Sequence, residues 1–154
     1  MNKQLQKVLL AATACPLVVT LVGCGNGLAT VSGRITVDGE PIAVSESVNG
    51  RILFFPDGGT GAPAVGALDS DGEYSVSTGS QDGLLPGPYV VTVLATELIP
   101  SRDESTPPSG RSITPRRYAD PAKSGLRVNV ADGSNEFDFD LDGTPDPPPR
   151  RRRR

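Results

Sequence analysis

From Thr30 onward the chain is a succession of short apolar or alternating runs separated by Gly, Pro, Asp and Asn, and none of these runs sustains a helical period. A helix of ordinary length needs an apolar stripe every three to four residues over about ten positions or more, so this punctuation leaves the strand as the regular element. The alternation predicts strands over 30–37, 51–55, 64–68, 73–77, 89–95, 126–130 and 136–141. Seven short strands with turn signals between them predict an all-β fold, a seven-stranded antiparallel β-sandwich of Ig-like design.

Several turns are chemically legible. Asp38 and Gly39 follow the first strand, and an Asp-Gly pair supplies the positive φ values that tight hairpins demand. Asp69, Ser70, Asp71 and Gly72 do the same between the third and fourth strands. Pro86, Gly87 and Pro88 introduce the longest strand, where Tyr89, Val91 and Val93 alternate with Val90, Thr92 and Leu94. Apolar residues on both faces predict a central position in the sheet. By contrast, residues 97–117 are rich in Pro, Ser, Thr and charge, which predicts a mobile loop. Residues 143–154 combine prolines with arginines at 150–154 and are expected to form a disordered, extended tail.

The segment before Thr30 has a different character. Lys3 and Lys7 precede an apolar run over 8–22, and the small residue Gly23 then precedes Cys24. This is the order of a secretory signal. The run is about fifteen residues long and contains Pro16, whereas a bilayer-spanning helix takes roughly twenty apolar residues. Leu21-Val-Gly-Cys24 resembles the lipobox of bacterial lipoproteins. That resemblance implies cleavage between Gly23 and Cys24, addition of diacylglycerol to the Cys24 thiol and acylation of the new amino terminus. One acyl chain binds a membrane reversibly, because each buried methylene contributes about 0.8 kcal/mol, while two or three hold firmly. The expected organisation is a signal peptide over 1–23, a lipidated linker over 24–29, one domain over 30–142 and the tail over 143–154.

Removal of the signal would leave roughly 130 residues, enough for one domain. Cys15 would leave with it, so Cys24 would be the only cysteine and no intrachain disulfide could form. The chain has no histidine and no tryptophan. The first absence removes the Ser-His-Asp and Cys-His nucleophile systems, the usual histidine zinc sites and the commonest general base near neutral pH. Net charge is −3, and with the lysines of the signal removed and five arginines in the run at 150–154 the folded part is distinctly acidic. Such a domain is not expected to bind nucleic acid, which needs a basic face. The arginine run itself could make loose electrostatic contact with an anionic envelope surface.

The strands and turns together resemble the carboxypeptidase-regulatory-like, or transthyretin-like, β-sandwich domains carried by many small bacterial lipoproteins. The matching text is Val31-Ser-Gly-Arg-Ile-Thr-Val-Asp-Gly-Glu-Pro41, Ile52-Leu-Phe-Phe-Pro56, Asp69-Ser-Asp-Gly-Glu-Tyr-Ser-Val76 and Leu85-Pro-Gly-Pro-Tyr-Val-Val-Thr-Val93. Tyr118-Ala-Asp-Pro121, Ser124-Gly-Leu126 and Asn135-Glu-Phe-Asp-Phe-Asp-Leu141 complete the order. These are scaffold positions, with Phe54 and Phe55 at strand apolar sites and Tyr74 and Tyr89 at interior sites with the hydroxyl at the edge. The resemblance therefore implies a fold more firmly than a role. One transthyretin-like branch hydrolyses a ureide with histidines and a carboxy-terminal tyrosine motif, neither of which this chain has.

Asp138, Asp140 and Asp142, with Gly143 and Asp146, share the spacing of the first half of a calcium loop, but Pro149 stands where the late bidentate Glu belongs. Phe137, Phe139 and Leu141 alternate with these aspartates as an edge strand would, so the expected reading is a solvated acidic face with no bound metal. No cofactor is expected and no catalytic residue is assigned. The sequence thus predicts a non-enzymatic lipoprotein anchored to a membrane of the bacterial envelope outside the cytoplasm. Gly25 in place of an aspartate after Cys24 favours the outer membrane, by resemblance to known sorting rules. The β-sandwich would serve as an interaction or structural module for an envelope protein or glycan partner, and the alternative is a glycan- or calcium-binding module on loop tips and acidic edges.

Overall fold

The computed structural model describes residues 27–58, 61–101 and 107–147. They form a single curled sheet of eleven strands: β1 (Thr30–Val37), β2 (Glu40–Pro41), β3 (Val48–Pro56), β4 (Ala64–Leu68), β5 (Glu73–Thr78), β6 (Gln81–Asp82), β7 (Gly87–Ile99), β8 (Ser109–Ser112), β9 (Leu126–Val130), β10 (Ser134–Glu136) and β11 (Phe139–Leu141). One 3-10 turn, Arg116–Ala119, is the only helical element among the described residues. The main path runs β10-β1-β5-β4-β3-β7-β8, with β11 and β2 also on β1, β6 on β5 and β9 on β7.

Period-two alternation explains which residues point inward. In β4, Ala64, Gly66 and Leu68 are buried while Val65 and Ala67 face out; in β5, Tyr74 and Val76 are buried while Glu73 and Ser75 are exposed. β3 contributes Ile52 and Phe54, and β7 contributes Tyr89, Val91, Val93 and Ala95. The Phe54 ring lies 6.2 Å from that of Tyr74 and 6.3 Å from that of Tyr89, the second in an edge-on arrangement. Both tyrosines keep the hydroxyl at the margin and satisfied, Tyr74 donating to the Phe137 carbonyl at 2.7 Å and Tyr89 to the Leu85 carbonyl at 2.8 Å. β7 is central, as its two apolar faces predict: β3 pairs along one edge over nine residues, and β9 and β8 share the other.

The structure departs from the sequence-based expectation in three places. The strand expected over 136–141 is two strands, β10 and β11, and both run parallel to β1 rather than antiparallel. Between them Phe137 crosses the backbone of Gly33, so closely that a Cβ on Gly33 would lie 2.0 Å from the Phe137 oxygen. Secondly, the 97–117 segment is not a structureless loop at its ends. β7 continues to Ile99, and β8 pairs with it through Thr96↔Ser112 and Ile99↔Ser109. β8 reads Ser-Gly-Arg-Ser, every residue exposed, so main-chain hydrogen bonding and the cross-strand Arg111–Glu97 ion pair make it a strand and no apolar period marks it. Thirdly, residues 143–147, expected in the tail, include Asp146, which pairs with Arg117. The expected signal segment lies outside the described residues.

The register gives the sheet two distinct ends. Ala29, the Leu84–Pro88 connection, Pro56 and Val130 lie at one end, because Pro56 pairs with Tyr89, Gly87 with Val130 and Ala29 with Leu84. Val37, Ile99 and Leu141 lie at the other, because β11 runs parallel to β1 with Val37 opposite Leu141. The chain therefore enters the sheet at the Leu84 end and leaves β11 at the opposite end, about 25 Å away along β1.

Candidate functional site

At the Leu84 end, Ala29 and Leu84 exchange both backbone hydrogen bonds, at 2.8 and 3.0 Å, which clamps the incoming chain to the connection between β6 and β7. Gly83 permits this approach: its φ is +99°, and a Cβ there would lie 2.4 Å from the Ala29 oxygen. Leu84 is buried, but the chain then turns outward, leaving Leu85 62% exposed. Pro86 and Pro88 follow, both exposed, and neither has an N–H to donate. Burial pushes the Tyr89 phenol up, keeping it a neutral donor to Leu85. Leu85, Pro86, Pro88 and Tyr89, with Leu28, Pro56 and Ala62, line an open cleft of about 460 Å³. An Asp57–Arg127 ion pair stands at its rim.

The acidic edge carries the aspartates singled out by their spacing, and the structure gives each its own partner. Asp138 accepts from the Arg34 amide at 2.7 Å, and Asp140 accepts from the Thr36 hydroxyl at 2.7 Å and the Gly39 amide at 2.9 Å. Asp142 accepts from the Thr144 amide at 2.8 Å. The Thr36 hydroxyl and then the Gly39 amide hold the Asp140 carboxyl below its usual range, and the Thr144 hydrogen bonds do the same for Asp142, with Arg117 adding to the effect. Each carboxylate is thus turned to a different donor, and among the described residues no group of three acidic, histidine or cysteine side chains is arranged to hold a metal. Asp69 serves its turn, accepting from the Asp71 and Glu73 amides at 2.9 Å each.

Beside this edge, Arg34 and Glu73 form an exposed pair at 2.5 Å across a polar cleft of about 320 Å³ that also includes Tyr74, Glu136 and Asp138. Sequence patterning did not single out either residue, because an exposed Arg or Glu on an alternating strand is the ordinary solvated choice.

Arg117 is the other residue that reading the sequence missed. It sits in the 3-10 turn 4.7 Å over the Tyr118 ring and donates to Asp146 at 2.9 Å, to the Thr144 carbonyl at 2.7 Å and to the Asp142 carbonyl. The Asp142 amide in turn donates to the Tyr118 hydroxyl at 3.0 Å. One guanidinium thereby fastens the chain that leaves β11. Asp146, and after it Tyr118, raise the Arg117 pKa, and the same pairing lowers that of Asp146. The fork of five donors explains why an arginine rather than a lysine serves here.

Gly23 and Cys24, the predicted cleavage and lipidation residues, lie outside the described residues. Among the described residues no helix is long and apolar enough to cross a membrane, and no buried side-chain polar atom lacks a hydrogen-bond partner. No protein-family model matches the chain, and no curated protein matches it. A 9R-lipoxygenase from Cyanothece is among the solved structures similar to it, at 14% identity and a TM-score of 0.39. The alignment covers 94% of this chain and 20% of the lipoxygenase, so the chain spans about a fifth of that protein's length.

Proposed function

We propose that the protein is a membrane-anchored lipoprotein of the bacterial envelope, tethered through Cys24, whose β-domain is a non-enzymatic interaction or structural module facing outside the cytoplasm, with the outer membrane favoured. The observation that carries this reading is the placement of Leu21-Val-Gly-Cys24 directly after a basic segment and a short apolar run, three residues before the described domain begins at Gly27. A cysteine at that position has an evident use as a lipid acceptor and none as a disulfide half.

The finer architecture we assign is a β-sandwich of the transthyretin-like, carboxypeptidase-regulatory-like kind. Its support is the curled, mostly antiparallel sheet, the aromatic core around Phe54 and the fall of the segments that carry the resemblance on β1, β3, β5 and β7. A scaffold role is further supported by a chain without histidine and by tyrosines that are engaged in holding loops to the sheet.

The decisive experiment is the intact mass of the full chain extracted with detergent from the membranes of an expressing bacterium. The expected mass is that of a polypeptide beginning at Cys24 with diacylglycerol and a further acyl group added. The Cys24→Ser variant should remain an unprocessed precursor. A product that begins upstream of Cys24, or that carries no lipid there, overturns the reading.

A further inference from the structure

The end of the sheet where the chain enters carries the most exposed large apolar side chain of the described domain, Leu85, flanked by Pro86 and Pro88 and backed by the cleft that Leu28, Pro56 and Ala62 line. We propose that this rim is a membrane seat: Leu85 and the prolines beside it rest in the headgroup layer of the bilayer that holds the anchor, and the domain stands with β1 and β7 running away from the surface. The inference rests on the lipid-anchored reading and adds to it a face and an orientation.

The length of the tether and the point where it joins the sheet carry the argument. Between Cys24 and Leu28 the chain can span at most about 14 Å even fully extended. The polar layer on each side of a bilayer is roughly 5–7 Å deep, so a lipid-bearing Cys24 at the acyl boundary leaves Leu28 at most about one further layer above the surface. Ala29 is bonded to Leu84 through both backbone groups, so whatever holds Leu28 close to the membrane holds Leu85 close as well. The rim suits that environment: its tip is apolar, Pro86 and Pro88 present no unsatisfied N–H, and the Leu85 carbonyl is already bonded by Tyr89. Amphipathic surfaces of this kind settle roughly 5–10 Å into the headgroup and acyl boundary. The opposite end also exposes apolar side chains, Leu98 at 48% and Ile99 at 42%, but β7 separates them from Leu85 by about 40 Å, beyond the tether's reach.

The absence of tryptophan makes the test direct. Two single-tryptophan versions of the full lipidated chain, Leu85→Trp and Leu98→Trp, are each reconstituted into phosphatidylethanolamine–phosphatidylglycerol vesicles with and without brominated acyl chains. Melting curves and the mass of each preparation confirm fold and acylation. The Leu85→Trp fluorescence should fall by about half or more in brominated vesicles, as expected of a side chain at the acyl boundary, and Leu98→Trp should be unchanged. Should the indole disturb the rim, a nitroxide on Leu85→Cys reads the same position, since Cys24 is blocked by lipid. Equal quenching at both sites, quenching at Leu98 alone or quenching at neither in a fully lipidated protein overturns the seat while leaving the anchor intact. A preparation whose mass shows no lipid overturns the anchor and the seat with it.

Discussion

The hydroxyl of Tyr74 on β5 reaches across β1 to donate to the carbonyl of Phe137 at 2.7 Å, at the very point where the chain passes from β10 to β11. Gly33 lies beneath the crossing, and the Phe137 amide donates to Ser32 at 2.9 Å, so one aromatic hydroxyl and one missing side chain together fix the kink. Burial, with the charge of Asp138 adding to it, pushes the Tyr74 phenol well above its ordinary range and keeps it a donor at every physiological pH.

Tyr74→Phe keeps the ring against Phe54 and removes only that bond. The expected cost is about 1 kcal/mol, the usual net worth of an intramolecular hydrogen bond. In a domain of this size that lowers Tm by roughly 3–5 °C, measured by differential scanning calorimetry. A melting temperature equal to the parent's would show that the kink holds without the hydroxyl.

Acid should weaken the β11 edge for a reason that can be traced to single carboxylates. Asp140, Asp142 and Asp146 all have pKa values held below the ordinary range, by Thr36 and Gly39, by Thr144, and by Arg117 respectively. A carboxylate with a depressed folded-state pKa contributes stability that is present above its unfolded value and is lost as pH falls through the folded one. Urea midpoints should therefore be flat from about pH 7 down to about pH 4.5 and fall below about pH 4, where unfolded aspartate titrates. Asp140→Asn should lower the neutral-pH midpoint and flatten the acid limb. An acid limb as steep as the parent's would remove Asp140 from the account.

Arg117→Ala should release the chain beyond β11 without unfolding the sheet. Hydrogen exchange at the Asp142 amide, which donates to Tyr118, and at the Arg117 amide, which donates to Asp146 at 2.9 Å, is expected to accelerate at least about tenfold, while amides of β3 and β7 stay protected. Arg117→Lys should restore little, since a single ammonium cannot reach Asp146, Thr144 and Asp142 together. Unchanged exchange in both variants would mean that Asp142–Tyr118 suffices as the fastening.

Calcium at about millimolar concentration should leave Tm unmoved, because a ligand that prefers the folded state must raise it and Asp138, Asp140 and Asp142 each already serve a separate backbone or hydroxyl donor. A clear upward shift that Asp140→Asn abolishes would reinstate a cation at this edge.

The strands that bury one face were legible from alternation, and β1, β4 and β9 have the predicted bounds. The extra length of β3 and β7, and the whole of β8, were not, since Glu97, Gly110 and Arg111 enter the sheet through main-chain bonds and solvent-facing side chains that carry no period. The break between β10 and β11 was hidden for another reason: Phe137-Asp-Phe139 alternates perfectly, and only the approach of Phe137 to Gly33, more than a hundred residues earlier, decides that the strand must step. The acidic spacing records only sequence intervals, so it could not show that Arg34, Thr36 and Thr144 supply donors to Asp138, Asp140 and Asp142. Arg117 left no signal at all, for its partners arrive from a segment with no apolar pattern of its own.

Parallel pairing of β1 with β11 sets the order in which the molecule can be assembled. The Thr36–Asp140 contact closes a loop of 104 residues, so the outer edge of the first strand has no partner until the last two described strands, β10 and β11, dock. Hairpins such as β4–β5 and β3–β4 can close early at little entropic cost, but the finishing step joins the two ends of the chain's folded part and must wait for all that lies between. Folding of this domain should accordingly be limited by a late, non-local closure, and a chain cut short before Phe139 would keep an open, sticky edge along Ile35–Val37 of β1.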